Sequence, residues 1–226
     1  IISPRTNSSS IQIIINQAGI QRVFTKTACK ENSFIEPDEI YINGIQIKVI
    51  QNNYTLQSSR NNITLVWERE INSTACLFNG CDNITQVDLS NFHSSELMFI
   101  HGMFWHCKSL LSINFMNFNT SKVIDMHYLF NDCQKLNNLD LSYFDTTEVT
   151  NMAYMFAECH SLNSLNLSNF KTSKVDVMYN MFSGCYSLSI LDLANFDTSS
   201  LTKMLKMFEN CLSLTSINIS HFKTAP

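Results

Sequence analysis

Phenylalanine returns at a fixed step of 26 residues, at Phe78, Phe104, Phe130, Phe156, Phe182 and Phe208, and cysteine keeps the same step at Cys81, Cys107, Cys133, Cys159, Cys185 and Cys211. A second phenylalanine series runs Phe92, Phe118, Phe144, Phe170, Phe196 and Phe222. A unit this short cannot enclose its own apolar side chains, so it must stack on its copies. With 226 residues, 45% of them hydrophobic, the chain can bury a substantial core in that way.

One full unit, from Leu136 to Ser161, reads "LNNLDLSYFDTTEVTNMAYMFAECHS". Leu136, Leu139, Leu141 and Phe144 give L-x-x-L-x-L-x-x-F, a leucine-rich-repeat pattern with Phe where Asn or Cys is usual. The period-two step predicts a strand with Leu139 and Leu141 facing inward. After the "FDTTE" turn, Val149, Met152, Met155, Phe156 and Cys159 recur at three- and four-residue spacing, which predicts a short α- or 3₁₀-helix. The expected fold class is an α/β repeat solenoid: a parallel β stack with short helices on the other side and a β-rich N-terminal cap. Residues 1–70 would be the cap and 71–226 the solenoid.

The unit "LDLSYFDTTEVTNMAYMFAECHSL" resembles the repeat of BspA-like leucine-rich-repeat surface proteins, whose units run L-D-L-S-x-F-D-T-S-x-V-T-x-M-x-x-M-F-x-x-C-x-S-L. The resemblance covers about residues 71 to 224 and departs most in the first copy, "ACLFNGCDNITQVDLSNFHSSELMF", which lacks the Met-x-x-Met pair. It implies an extracellular or cell-surface repeat domain used in adhesion or recognition, with a protein or glycan as partner. It implies no particular ligand, because function lives in sites rather than folds.

In a parallel stack, residues 26 apart become neighbours about 4.8 Å apart. Between the two inward strand positions lie Asp88, Asn114, Asp140, Asn166, Asp192 and Asn218, acid and amide in strict alternation. Like charges on neighbouring strands repel, and an intervening amide relieves this while donating hydrogen bonds. Further on, Asp145, Lys171, Asp197 and Lys223 alternate in sign, as do Glu96, Lys122, Glu148 and Lys174. Thr120, Thr146, Thr172, Thr198 and Thr224 form a hydroxyl rung suited to capping turn backbone. The strand face adds Ser90, Ser142, Ser168 and Ser220, then Asn91, Asn117, Tyr143, Asn169, Asn195 and His221. Such a face suits sugars, peptide backbone or a hard cation, although residues recurring so regularly also serve a purely architectural role. The candidate binding residues are the six of the Asp/Asn rung and Tyr143.

Residues 1 to about 70 lack the repeat. In "EIYINGIQIKVI", Asn43 and Gly44 separate two alternating apolar runs, a two-residue hairpin signal. "NITLVWERE" places Ile63, Leu65 and Trp67 on one strand face, and Ile71 and Phe78 already keep the register of Val149 and Phe156. Asn-x-Ser/Thr sequons occur at Asn7, Asn53, Asn62, Asn72, Asn83, Asn119, Asn166 and Asn218. The first five are the glycosylation candidates if the chain is secreted by a eukaryote.

A net charge of −4 with no basic cluster removes the footprint of a nucleic-acid binder. No apolar run approaches the roughly 20 residues that span a bilayer, so no membrane insertion is expected. Nucleophile-elbow, zincin, phosphate-loop and dinucleotide motifs are missing, and neither an enzyme nor a cofactor is expected. His101 and His127 occupy equivalent positions, but no third ligand is visibly aimed at the pair, and they read as surface histidines. The Met126, Met152, Met178 and Met204 rung, with Met103, Met155, Met181 and Met207, reads as core filler rather than a soft-metal face.

Rung cysteines carry parallel Cβ vectors on a widely spaced side of the stack, which suits packing rather than disulfides or a metal cage. Cys29 and Cys76 lie off the ladder and are the expected disulfide if the protein is extracellular. The chain opens "IISPRTNSSS" without an initiator Met, and "NISHFKTAP" breaks off inside a repeat, so more protein is expected to follow. An uncapped end also makes head-to-tail stacking into an extracellular fibre the alternative to a recognition role.

Overall fold

The computed structural model describes residues 8–25 and 36–223. Ten strands lie there: β1 (Ser9–Ile15), β2 (Gly19–Arg22), β3 (Glu39–Ile42), β4 (Ile45–Ile47), β5 (Asn53–Leu56), β6 (Asn61–Trp67), β7 (Ile84–Asp88), β8 (Ser112–Asn114), β9 (Ile190–Asp192) and β10 (Ser216–Asn218). Six form one mixed sheet in the order β4-β3-β6-β1-β7-β8, and β2 pairs with β5 and β9 with β10. The hairpin anticipated at Asn43 and Gly44 joins β3 to β4. Ile42 pairs with Ile45, and the two turn residues take φ of 53° and 80°, as a type I′ turn requires. On β6, Ile63, Leu65 and Trp67 are all buried.

The expected α/β solenoid with short helices is overturned. The described residues contain no helix, and therefore none long and apolar enough to cross a membrane; the fold is all-β on a mixed sheet. The segment expected to be helical is a succession of tight turns. The amides of Met155 and Cys159 donate three residues back, to Met152 and Phe156, whereas those of Met152, Tyr154, Phe156 and Glu158 donate to Val177, Tyr179, Met181 and Ser183 of the next unit. A helix needs its amides to turn back on their own chain, and here alternate amides leave it. Tyr154 and Glu158 also sit in the left-handed region, with φ of 56° and 59°, which interrupts right-handed winding. Turns that repeat every three residues still bring Val149, Met152, Met155 and Cys159 to one buried side. That is why their spacing imitates a helical face.

The strand side is discontinuous too. Leu139 and Leu141 are buried as expected, yet neither their unit nor the next one forms a strand. No backbone hydrogen bond among the described residues joins 137–143 to the equivalent residues on either side. Packing at the first of these steps runs through rings: Phe115, where the other units carry Leu or, in one, Ile219, lies edge-on to Phe144 with centroids 4.9 Å apart. The turn side is the continuous one, with parallel bridges linking Ser73, Phe99, Asp125, Asn151, Val177 and Lys203 in series.

Side-chain ladders tie the units together. Phe78, Phe104, Phe130, Phe156, Phe182 and Phe208 stack with successive centroids 5.8, 5.7, 5.7, 5.6 and 5.8 Å apart. Each rung cysteine from Cys107 onward donates its S–H to the phenylalanine carbonyl of the preceding unit at 3.1 Å, as Cys159 does to Phe130. The threonine rung works in both directions: Thr146 Oγ1 donates to the Lys171 carbonyl at 2.9 Å and accepts from the Lys171 amide at 2.7 Å. Lys122 reaches Glu96 at 2.6 Å and Lys174 reaches Glu148 at 2.7 Å. These pairs are half-exposed, where each contributes about 0 to 1 kcal/mol.

The N-terminal segment covers the first unit at two places. β1 lies antiparallel between β6 and β7 with Ile11, Ile13 and Ile15 buried. On the turn side Thr25 substitutes for a preceding unit: its amide donates to the Leu77 carbonyl at 2.8 Å and its hydroxyl to the Asn79 carbonyl at 2.6 Å.

Candidate functional site

Outward residues of β1, β7 and β8 form a polar face. The register sets Gln12 beside Asp88 and Asp88 beside Asn114, and next to them Ile14, Gln86 and Ser112. Asn114 Nδ2 donates to Asp88 Oδ1 at 3.0 Å. Gln12 thus extends the acid/amide alternation one step toward the N-terminus. Sequence reasoning missed it, because β1 belongs to no repeat and a residue 76 positions from Asp88 carries no periodic mark.

The Asp/Asn rung also has a local task. Asp88, Asp140 and Asp192 accept from the amides of Ser90, Ser142 and Ala194, each at 2.9 Å. Asn114, Asn166 and Asn218 accept likewise from Met116, Ser168 and Ser220 at 3.1, 3.1 and 3.2 Å. These side chains close the turn after the strand position, a role open to Asp and Asn alike. The Ser142 amide, then its hydroxyl, hold the Asp140 carboxyl below the usual carboxylate range. Asp88 is half-buried and the other five are exposed, so each keeps polar atoms for a partner. Acids on alternate units are about 10 Å apart at ordinary strand spacing, too far to share one hard cation. Tyr143 is 48% exposed and available to the same face.

Beside this row a cleft of about 720 Å³ opens where β1 meets the first two units, lined by Ser10, Gln12, Ser90, Asn91, His93 and Asn117 among others. Smaller hollows continue along the face. One of about 120 Å³ lies by Asp140, Ser142, Asn166 and Asn169, and one of about 230 Å³ by Asn166, Ser168, Asp192 and Asn195. Hydroxyls, amides and a few carboxylates in shallow concavities can donate to and accept from a polar, largely uncharged ligand.

Cys76 is disulfide-bonded, and the partner expected for it, Cys29, lies outside the described residues, as does Asn7. The six rung cysteines are free thiols. Among the sequons, Asn53, Asn62 and Asn72 are exposed, while Asn83 is half-buried and donates to Gln21 of β2.

The family described as "Mycoplasma protein of unknown function, DUF285" matches residues 72–189 and, overlapping these, 138–226. No curated protein and no solved structure matches the chain.

Proposed function

We propose that this chain, which belongs to the DUF285 family, is an extracellular or cell-surface recognition module that holds a glycan or peptide against its strand face. The observation that carries the reading is the polar row Gln12, Asp88 and Asn114, which lines a hollow of about 270 Å³ and reaches the 720 Å³ cleft at Gln12. Its donors and acceptors are preset by backbone pairing, so binding there orders few side chains. The resemblance of the repeats to BspA-like surface proteins supports the same role and place. Purified protein screened on glycan and peptide arrays should give a ligand whose affinity falls at least about fivefold in Gln12→Ala and in Tyr143→Ala, in line with losing one polar or aromatic contact. Empty arrays, or affinities unchanged in both variants, would overturn it. An antibody to the chain should label intact cells of the source organism; labelling only after lysis would remove the surface location.

One observation speaks for the fibre reading. The amides of Lys206, Phe208 and Asn210 have no acceptor among the described residues, whereas their counterparts in all five earlier units donate to the next unit. Head-to-tail growth would deliver them to the carbonyls of Ala75, Leu77 and Asn79, but Thr25 already holds the last two, and a further unit of the same chain would satisfy the amides equally well. That occupancy weighs against head-to-tail growth. Sedimentation of concentrated protein decides between them, since concentration-dependent filaments would restore the second reading.

A further inference from the structure

We propose that His101, Asp125 and His127 bind a single borderline divalent transition-metal ion, of the zinc, cobalt, nickel or copper class. The two imidazoles come from equivalent positions of adjacent units and stack with centroids 4.6 Å apart and planes 8° apart. The third ligand, which the spacing of the histidines does not reveal, is Asp125. Its backbone is fixed by parallel bridges to Phe99 and Asn151, and its Oδ1 accepts from the His127 amide at 3.0 Å and lies 2.7 Å from His127 Nδ1. One donor atom from each residue lies within 4.8 Å of the other two.

The repeat supplies its own control. The position of His101 and His127 is Ala75 in the first unit and Ala153 in the fourth, and the position of Asp125 is Ser73, Phe99, Asn151, Val177 or Lys203 elsewhere. The stack therefore needs neither imidazole nor carboxylate at these places, and only at one step do all three coincide.

Two imidazoles and one carboxylate make a donor set that borderline metals prefer and that calcium and magnesium do not. Metal bonds of about 2.0 to 2.2 Å want tetrahedral ligands about 3.3 Å apart. The ion would take the place of the hydrogen between His127 Nδ1 and Asp125 Oδ1, and because a metal lies in the plane of each imidazole that holds it, the His101 ring must turn out of the parallel stack to bring its donor in. His101 is buried at 5% exposure, whereas Asp125 and His127 are half-buried, which leaves the fourth position open to water or an outside ligand.

The test is calorimetric titration of chelator-stripped protein with Zn²⁺, paired with the visible absorption of the Co²⁺ form. We expect one ion per chain, a higher melting temperature with Zn²⁺, and a loss of affinity of tenfold or more in His101→Ala, His127→Ala and Asp125→Asn. Each variant introduces a residue the same rung already carries in another unit, and circular dichroism checks that it folds. His106→Ala, which removes the separate His106–Asp132 pair, should leave binding unchanged. The proposal fails if Zn²⁺ binding is not saturable, if His127→Ala binds as tightly as the parent, or if His106→Ala is the variant that abolishes binding.

Discussion

Cys159 and Thr146 show how single side chains join units. The Cys159 thiol is fully buried, and burial, offset in part by a hydrogen bond from the Cys133 backbone, pushes it up to about 12; Cys81 is likewise at about 12. A raised folded value means that the fold favours the protonated thiol. This stabilisation is intact below the unfolded value near pH 8.5 and is lost as pH climbs toward about 12. Urea unfolding across that window should show stability falling by up to about 1.4 kcal/mol per pH unit for each such thiol, with a smaller slope in Cys159→Ala; equal slopes would contradict it. Thr146→Val keeps the shape but leaves the part-buried amide and carbonyl of Lys171 without their side-chain partner, and should cost about 1 to 3 kcal/mol. A change within error on chemical unfolding would show that water replaces the hydroxyl. The threonine rung and the free cysteines were legible because each recurs at the unit step, but the S–H···O=C bond behind the cysteines was not, since sulfur spacing says nothing of which carbonyl it meets.

At the scale of the element, the turn segment taught most. Three-residue turns and a short helix place apolar residues at nearly the same intervals, so Val149, Met152, Met155 and Cys159 could not distinguish them. The better signal lay in the glycines: three of the five, Gly80, Gly102 and Gly184, occupy left-handed positions that Tyr154 and Glu158 fill in their own unit. Glycine at those places in some units marks positive φ in all of them. The phenylalanine ladder sets the packing energy of the element. Phe156 lies between Phe130 and Phe182 at 5.7 and 5.6 Å, so Phe156→Ala should cost about 3 to 5 kcal/mol through the cavity it leaves. Phe208, half-buried with a single ladder neighbour at 5.8 Å, should lose clearly less on the same change. Equal melting shifts for the two variants would mean that the ladder is not the core of the stack.

Across the whole molecule, β1 is the piece that makes cap and repeats one body. It pairs along its length with β6 and along part of it with β7, so the two regions should unfold together. Ile13→Asp puts a carboxylate at a fully buried position of β1 and should cost at least about 3 kcal/mol, lowering a single calorimetric transition. Two transitions, with the repeats melting as in the parent, would show that the regions are independent. The period, the ladder partners of the phenylalanine and cysteine series and the hairpin at Asn43 and Gly44 follow from the sequence by itself, because a stack turns a fixed separation along the chain into contact in space. Four features came from the folded chain and not from its period: the turn side is not helical, Gln12 completes the Asp88 row, Thr25 takes the place of a preceding unit, and Asp125 meets His101 and His127. Those contacts depend on the path the backbone takes, on which amides point along the stack and where a strand from outside the repeat is inserted, and no periodicity encodes that path.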